Sequence, residues 1–212
     1  MRDYGELKGM DTDLGTIFSP IVSTTGTNVQ ILALNLLQQG AGSWQRIGRK
    51  VIMKSVRIKG TALCNIVTDA ANELYGSTMR MCVVYDKQPN GGAYPTFDNI
   101  FGVTSQTGAE TTIYTSPPRY DTMSRYTVIK DHSFTATPSC TPTTGNLQRI
   151  MFDIDMFIPL NHETTFQGTT DPMDIPSINA GALYLIARAQ LSDPLVSNWG
   201  LTAWTRLRYT DK

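Results

Sequence analysis

The stretch ALYLIARAQL, residues 182–191, decides the fold class of this chain. Successive side chains of a β-strand point to opposite faces, so residues two apart share a face. The odd positions of this stretch are all apolar, which predicts a strand with one face in a core. These core positions are Leu183, Leu185, Ala187, Ala189 and Leu191, opposed by Tyr184, Arg188 and Gln190.

Two other stretches repeat this alternation, and a helix cannot sustain a two-residue period. In residues 201–209, Leu201, Ala203, Leu207 and Tyr209 oppose Trp204, Arg206 and Arg208. In residues 148–159, Ile150, Phe152, Ile154, Met156 and Ile158 alternate with Arg149, Met151, Asp153, Asp155 and Phe157.

Runs of β-branched and apolar residues separated by Gly, Pro and Asn clusters indicate a β-sandwich or barrel. Helical signals are confined to two short stretches, around residues 97–101 and 119–125. We therefore predict an all-β, eight-stranded antiparallel jelly-roll β-sandwich with short loop helices. The eight predicted strands are residues 27–37, 50–64, 78–87, 111–115, 126–136, 148–159, 182–191 and 201–209.

The 212 residues fit one large β-domain. Residues 1–22 are irregular and turn-rich, so we expect an N-terminal arm laid over a surface, followed by one domain over 23–212. The longest apolar run, residues 31–34, is far too short to cross a bilayer, and no signal-peptide pattern opens the sequence. The three cysteines, Cys64, Cys82 and Cys140, lack CxxC spacing, which favours free thiols over disulfides or zinc.

Three segments in order carry a family resemblance: RIGRKVIMKSVRIKG at 46–60, MRMCVVYDKQPNGGAYPTFDNIF at 79–101 and SRYTVIKDHSF at 124–134. They resemble the capsid proteins of circular, Rep-encoding single-stranded DNA viruses (CRESS-DNA viruses), of circovirus-like type. The similarity runs from about residue 24 to residue 209. It implies a structural subunit of a small icosahedral shell, located in the virion and, during assembly, in the host nucleus.

One departure from this family bears on nucleic-acid binding. Members begin with an Arg/Lys-rich arm that enters the particle and binds the genome, whereas this sequence opens with MRDYGELKG. Lys plus Arg and Asp plus Glu number 18 each, so no overall field attracts nucleic acid. Any basic patch within this sequence must therefore be local, and whether a basic arm belongs to the protein decides how much nucleic-acid binding the given chain retains.

Two basic groups are candidates for contacts to single-stranded nucleic acid. Trp204, Arg206 and Arg208 share one face of a strand, where a ring can stack a base and guanidinium groups can hold phosphates; a contact between subunits is the alternative. The residues of the second group fall on both faces of a regular strand, so they do not form a single basic stripe. They could neutralise phosphates from one face, or they could be solvated or ion-paired charges at the edge of a sheet. This second group comprises Arg46, Arg49, Lys50, Lys54, Arg57 and Lys59.

Catalytic and metal chemistry finds little support. Asp153 and Asp155 share a face and suit pairing with basic residues better than a cation site, while calcium at Glu163, Asp171 and Asp174 is a weaker possibility. His132 and His162 are the only histidines, and Asp131 and His132 point to opposite faces of a strand. With no hydrolase elbow or phosphate loop either, we expect no catalytic residue, metal or cofactor.

The expected function is therefore self-assembly of identical subunits into a closed shell around single-stranded nucleic acid, DNA by resemblance, with no membrane partner. Large connections at 65–76, 90–124, 137–146 and 161–181 would supply the contacts between subunits. The main alternative is a lectin-like or cytokine-like jelly roll that acts as a monomer or trimer. A hydrolase on the same scaffold is the weakest alternative.

Overall fold

The computed structural model describes residues 6–14, 29–67, 76–89, 93–104, 110–137, 147–168, 174–190 and 197–212. Its regular elements are nearly all strands, which confirms the all-β prediction. One short helix, α1 (Phe97–Ile100), and one turn of 3₁₀ helix, Ile175–Ser177, interrupt them. The strands are β1 (Leu7–Asp13), β2 (Val29–Ala33), β3 (Lys50–Val67), β4 (Ser77–Asp86), β5 (Val103–Thr104), β6 (Glu110–Thr111), β7 (Tyr126–Ala136), β8 (Leu147–Phe166), β9 (Ile178–Ala180), β10 (Ala182–Ala189) and β11 (Ser197–Asp211).

Two antiparallel sheets form the sandwich. Sheet A has the order β1-β11-β3-β8-β9, and sheet B has the order β2-β10-β4-β7. The chain passes back and forth between the sheets, so that most neighbours in a sheet are distant in sequence. Eight principal strands in two four-stranded sets, with β9 added at one edge, make the predicted jelly roll.

The membership of the eight strands differs from the prediction at two places. Residues 111–115 contribute only the end of β6, in a two-stranded ribbon with β5, and turn at Tyr114 and Thr115. The missing strand is β1, which lies inside the segment expected to be an arm and pairs with β11 along its whole length. The predicted helix near residues 97–101 is confirmed as α1, whereas residues 120–125 form turns.

The core lies between the inner faces of the two sheets. Every predicted core position of β10 that the structure describes is buried, and the alternation of β8 and β11 is as predicted. Both faces of β10 are buried, because the connection that contains α1 packs over the outer face of sheet B. There Arg80 lies over the ring of Phe101 and Arg188 over that of Phe97, with 4.3 and 4.5 Å from guanidinium carbon to ring centroid. The predicted free thiols of Cys64 and Cys82 are confirmed as buried, and Cys140 lies outside the described residues.

A buried polar seam joins the two sheets at one end of the sandwich. The Asn35 amide donates to the Thr164 hydroxyl at 3.0 Å and to the Gly181 carbonyl at 2.9 Å, and accepts from the Leu183 N–H at 3.0 Å. The Tyr85 hydroxyl, from sheet B, donates to the Glu163 carbonyl of sheet A at 2.6 Å. Because buried polar groups are costly when unpaired, this network fixes how the sheets align.

Apart from α1 and the 3₁₀ turn, the described part of the chain is built from strands, turns and irregular connections. No helix in it is long and apolar enough to span a membrane.

The seam predicts that Gly181→Ala destabilises the fold. Gly181 has a φ of +79°, which disfavours other residues, and an added Cβ would meet the Glu163 carbonyl oxygen and, at 2.7 Å, the Tyr85 hydroxyl. We expect a loss of about 3 kcal/mol in the free energy of unfolding, measured by urea titration. Gly9→Ala is the control, since a Cβ there makes an ordinary contact at 3.8 Å. Equal stability of the two variants would contradict this account of the seam.

Candidate nucleic-acid interface

The candidate interface is the face of sheet A that points away from the core, called the outer face below. Cross-strand pairing aligns its side chains in rows that run from β1 through β11 and β3 to β8. One row contains Asp11, Arg206, Arg57 and Phe157, and the next contains Asp13, Trp204, Lys59 and Asp155. The predicted grouping of Trp204, Arg206 and Arg208 on one exposed face is therefore confirmed in geometry.

A β-bulge in β3 gathers basic residues that strand parity separates. The registers with β11 and β8 both shift between Met53 and Ser55, leaving Lys54 as the extra residue. Val51 and Met53 are buried before the bulge and Val56 and Ile58 after it, so the buried positions change from odd to even. Lys50 therefore shares the outer face with Arg57 and Lys59, although strict alternation places it on the opposite side.

Two of the arginines are already bound to carboxylates of the chain. Arg206 makes a bidentate pair with Asp11 at 2.6 and 2.7 Å, and Arg57 makes one with Asp155 at 2.9 and 2.8 Å. These bonds from the arginines lower the pKa of both carboxyls, which stay ionised at neutral pH. The predicted pairing of Asp155 with a neighbouring basic strand is thus confirmed, and neither guanidinium is free.

Lys59 and Arg208 are the available cations of the outer face. Both are exposed, and neither forms a hydrogen bond or an ion pair within 4 Å among the described residues. Lys59 lies across from Asp155, but that carboxylate is hydrogen-bonded to Arg57, and the bond from Arg57 together with the charge of Lys59 lowers its pKa. Trp204 lies directly across from Lys59 and four residues from Arg208 in β11. It has 37% of its surface exposed, and the Arg206 guanidinium lies 5.9 Å from its ring centroid. An aromatic ring beside unpaired cations is the combination that binds unpaired bases and phosphates.

Arg46 has a different position from the one expected for a phosphate contact. Its side chain is fully buried, lies 4.3 Å over the Phe166 ring, and donates to the carbonyls of Leu37, Gly48 and Gly168 at 3.0, 2.7 and 2.9 Å. Burial also lowers its pKa. Its donors are used within the chain, so Arg46 is a structural residue and is removed from the candidate interface.

The remaining residues of the basic stretch lie toward the start of β3. Arg49 is exposed just before the strand, and Lys54 is partly exposed at the bulge. Lys50 lies 3.3 Å from Glu163, which also binds Lys212 at 2.7 Å. Lys50 is therefore partly neutralised, whereas Arg49 and Lys54 make no ion pair within the described part of the chain.

The candidate acidic ligands that the structure describes are occupied by other partners. Glu163 is bound by the two lysines above, and Asp174 caps the 3₁₀ turn through Ser177. Asp171 lies outside the described residues. Asp131 binds Arg80 at 2.6 Å, while His132 packs edge-on against Phe134, so these neighbours form no catalytic dyad. Within the described ranges, no three His, Cys, Asp or Glu residues are placed to hold a metal ion.

Two residues of the outer face, Asp11 and Phe157, were not among the candidate site residues predicted from the sequence. Asp11 was hidden because its strand was expected to be an arm, and only the pairing of β1 with β11 brings it to Arg206. Phe157 is 67% exposed on this face, although its type suggests burial. The two-residue period of β8 indicated this exposure, because Phe157 falls on the face of the strand opposite to that of the buried Ile158.

The fold and its open, charged face define a jelly-roll subunit, an architecture found in viral capsid and lectin domains. The model of the Geminivirus coat protein/nuclear export factor BR1 family matches residues 19–196, so the chain belongs to this family. The expected kinship with capsid proteins of single-stranded DNA viruses is confirmed, with geminivirus coat proteins in place of the circovirus-like type. Family membership supports a structural role in a viral coat and a place in the virion. No curated protein matches the chain.

The burial of Arg46 predicts that its replacement harms folding. In Arg46→Lys, a single ammonium group replaces the planar guanidinium group that donates to three backbone carbonyls. The ammonium group cannot reach all three carbonyls at once, so some of them lose their hydrogen bond. We expect a loss of roughly 2 kcal/mol in unfolding free energy. Arg49→Lys, at an exposed position of the same stretch, is the matched control and should unfold like the original protein. An unchanged midpoint for Arg46→Lys in thermal unfolding would contradict the structural role.

Proposed function

We propose that this coat protein assembles into a closed icosahedral shell and that its outer face binds a single-stranded DNA genome inside. The observation that carries the binding proposal is the exposed ring of Trp204 directly across from Lys59, with Arg208 four residues along β11 on the same face. Phosphate contacts are blind to sequence, as packaging of a whole genome requires. Assembly in the host nucleus belongs to the same proposal.

Exposed apolar side chains in one long connection support contacts between copies. The connection between β4 and β7 exposes several large apolar side chains over sheet B, and Tyr120 is 94% exposed. Exposed aromatic and apolar groups of this kind are typical of surfaces that become buried in assemblies. The exposed residues of this connection are Tyr94, Val103, Ile113, Tyr120 and Met123.

The rigid sandwich is suited to shell formation. Its sheets are joined by the polar seam and by a second bond between them, in which Trp199 donates to the Ser77 hydroxyl at 2.9 Å. A stiff subunit can close a shell because identical contacts then repeat at fixed angles. The structural role proposed here needs no catalytic group, and we propose that the protein is not an enzyme.

Assembly is tested by the mass of the purified chain. We expect megadalton particles in sedimentation velocity and closed shells in negative-stain microscopy, with an absorbance ratio at 260 and 280 nm that reports packaged nucleic acid. Tyr120→Asp should shift the population toward free subunits, since a charge would be buried in the contact. A stable species of tens of kilodaltons at high concentration would instead favour the lectin-like or cytokine-like alternative.

The nucleic-acid face is tested by the salt dependence of oligo-dT binding to free subunits, followed by fluorescence anisotropy. Each phosphate contact that is lost should lower the slope of log affinity against log salt by about 0.7. We expect this decrease for Lys59→Ala and for Arg208→Ala. Arg57→Ala should change the slope less, because its guanidinium is held by Asp155.

Lys130→Ala provides the matched control for these variants. Lys130 is an exposed lysine of β7 in sheet B, so its replacement removes one positive charge away from the outer face. An equal decrease of the slope for Lys130→Ala and Lys59→Ala would show that oligo-dT responds to the net charge of the protein and not to the outer face in particular.

A further inference from the structure

Phe157 has an exposed aromatic ring that buries little apolar surface in the fold and so adds little to its stability. Its strand neighbours Met156 and Ile158 point into the core, while Phe157 points outward with 67% of its surface in solvent. It has no ring partner among the described residues. An exposed Phe in a regular strand leaves its hydrophobic surface unused unless another molecule covers it.

The surroundings of Phe157 are charged. Arg57 is its direct partner on β3, and the row continues to Arg206. The unpaired Lys59 lies two residues along β3, opposite Trp204 on the other side. The two exposed rings, Phe157 and Trp204, therefore flank a strip of basic side chains on β3.

The spacing of the two rings decides which nucleic acid fits. They stand two strands apart and are offset by two residues, which gives roughly 12 Å between their backbone positions from standard strand spacings. Neighbouring bases of a duplex strand rise by only about 3.4 Å and hide their faces in the stack. Two rings so far apart can each stack a base only if the bases are unpaired and splayed.

We propose that Phe157 is a second base-stacking platform, which acts with Trp204 to select unpaired strands over duplex DNA. The strip between the rings holds the intervening phosphates through Lys59, and Arg208 lies on the other side of the row that contains Phe157, Arg57 and Arg206. This inference rests on the proposed function of the outer face and adds its preference for single strands.

A second copy of the chain is the rival occupant of this ring. Asp155, two residues from Phe157 on the same face, binds Arg57 and lies opposite Lys59, so one positive charge remains in excess beside the ring. This excess, together with Arg208 on the same face, favours the polyanion. Met151 offers a comparison: it is 65% exposed on the same face of β8, but its row contains Leu63 and Gly200 and no charge. It lies six residues from Phe157, roughly 20 Å along the strand.

The test measures binding of labelled oligo-dT and of a hairpin duplex of equal charge to free subunits of the full chain. Phe157→Leu keeps apolar bulk but removes the π face, and should weaken oligo-dT binding roughly 5- to 10-fold while leaving duplex binding unchanged. Phe157→Trp should restore the preference. Met151→Ala, which removes an exposed apolar side chain from an uncharged row, should bind like the original protein.

The outcomes separate the two proposals. If the unsubstituted protein fails to bind oligo-dT, the proposed nucleic-acid function itself is wrong. If it binds but Phe157→Leu matches Met151→Ala, or weakens single strands and duplex equally, the stacking role is overturned while the proposed function stands. Loss of particles with unchanged oligo-dT binding would assign Phe157 to a contact between subunits and would also overturn it.

Discussion

Burial of the inner face of sheet A against sheet B is the constraint on which the rest of the structure depends. Because alternate residues of a strand point to opposite sides, the choice of buried residues in β3, β8 and β11 also fixes which residues face outward. Placing Ile58, Ile154 and Leu207 in the core sends Lys59, Asp155 and Arg208 to the outer face. The surface proposed to hold the genome is thus a consequence of how the core packs.

Electrostatics on that surface is balanced and not simply basic. Asp11 and Asp155 bind the guanidinium groups of Arg206 and Arg57. Fewer cations are therefore free to bind a ligand than the number of basic residues on this face suggests. Exposed ion pairs of this kind add little stability. Their effect is on the charge that the surface offers: among the residues of these rows, they leave Lys59 and Arg208 without a bound carboxylate.

The strands with clean alternation were predictable, and the ones with polar core positions were not. β8, β10 and β11 follow the two-residue period, and their core residues were identified correctly. β1 was not predicted as a strand, because the charged residue Lys8 occupies a position that points inward. There its Nζ lies 2.8 Å from Oδ2 of Asp211. Residues 111–115 have the composition of a strand but find no sheet to join, since propensity for strands depends on packing against neighbours.

The sequence by itself determined the fold class, the core faces of the regular strands and the common face of Trp204, Arg206 and Arg208, because strand periodicity is a local property. Only the tertiary structure decided which charges are available. It buried Arg46 among carbonyls, used the bulge at Lys54 to bring Lys50 onto the face of Arg57, and joined β1 to β11 so that Asp11 reaches Arg206. Most of these contacts join segments that are far apart in the chain. The local pattern of apolar and polar residues does not indicate which segments will pair.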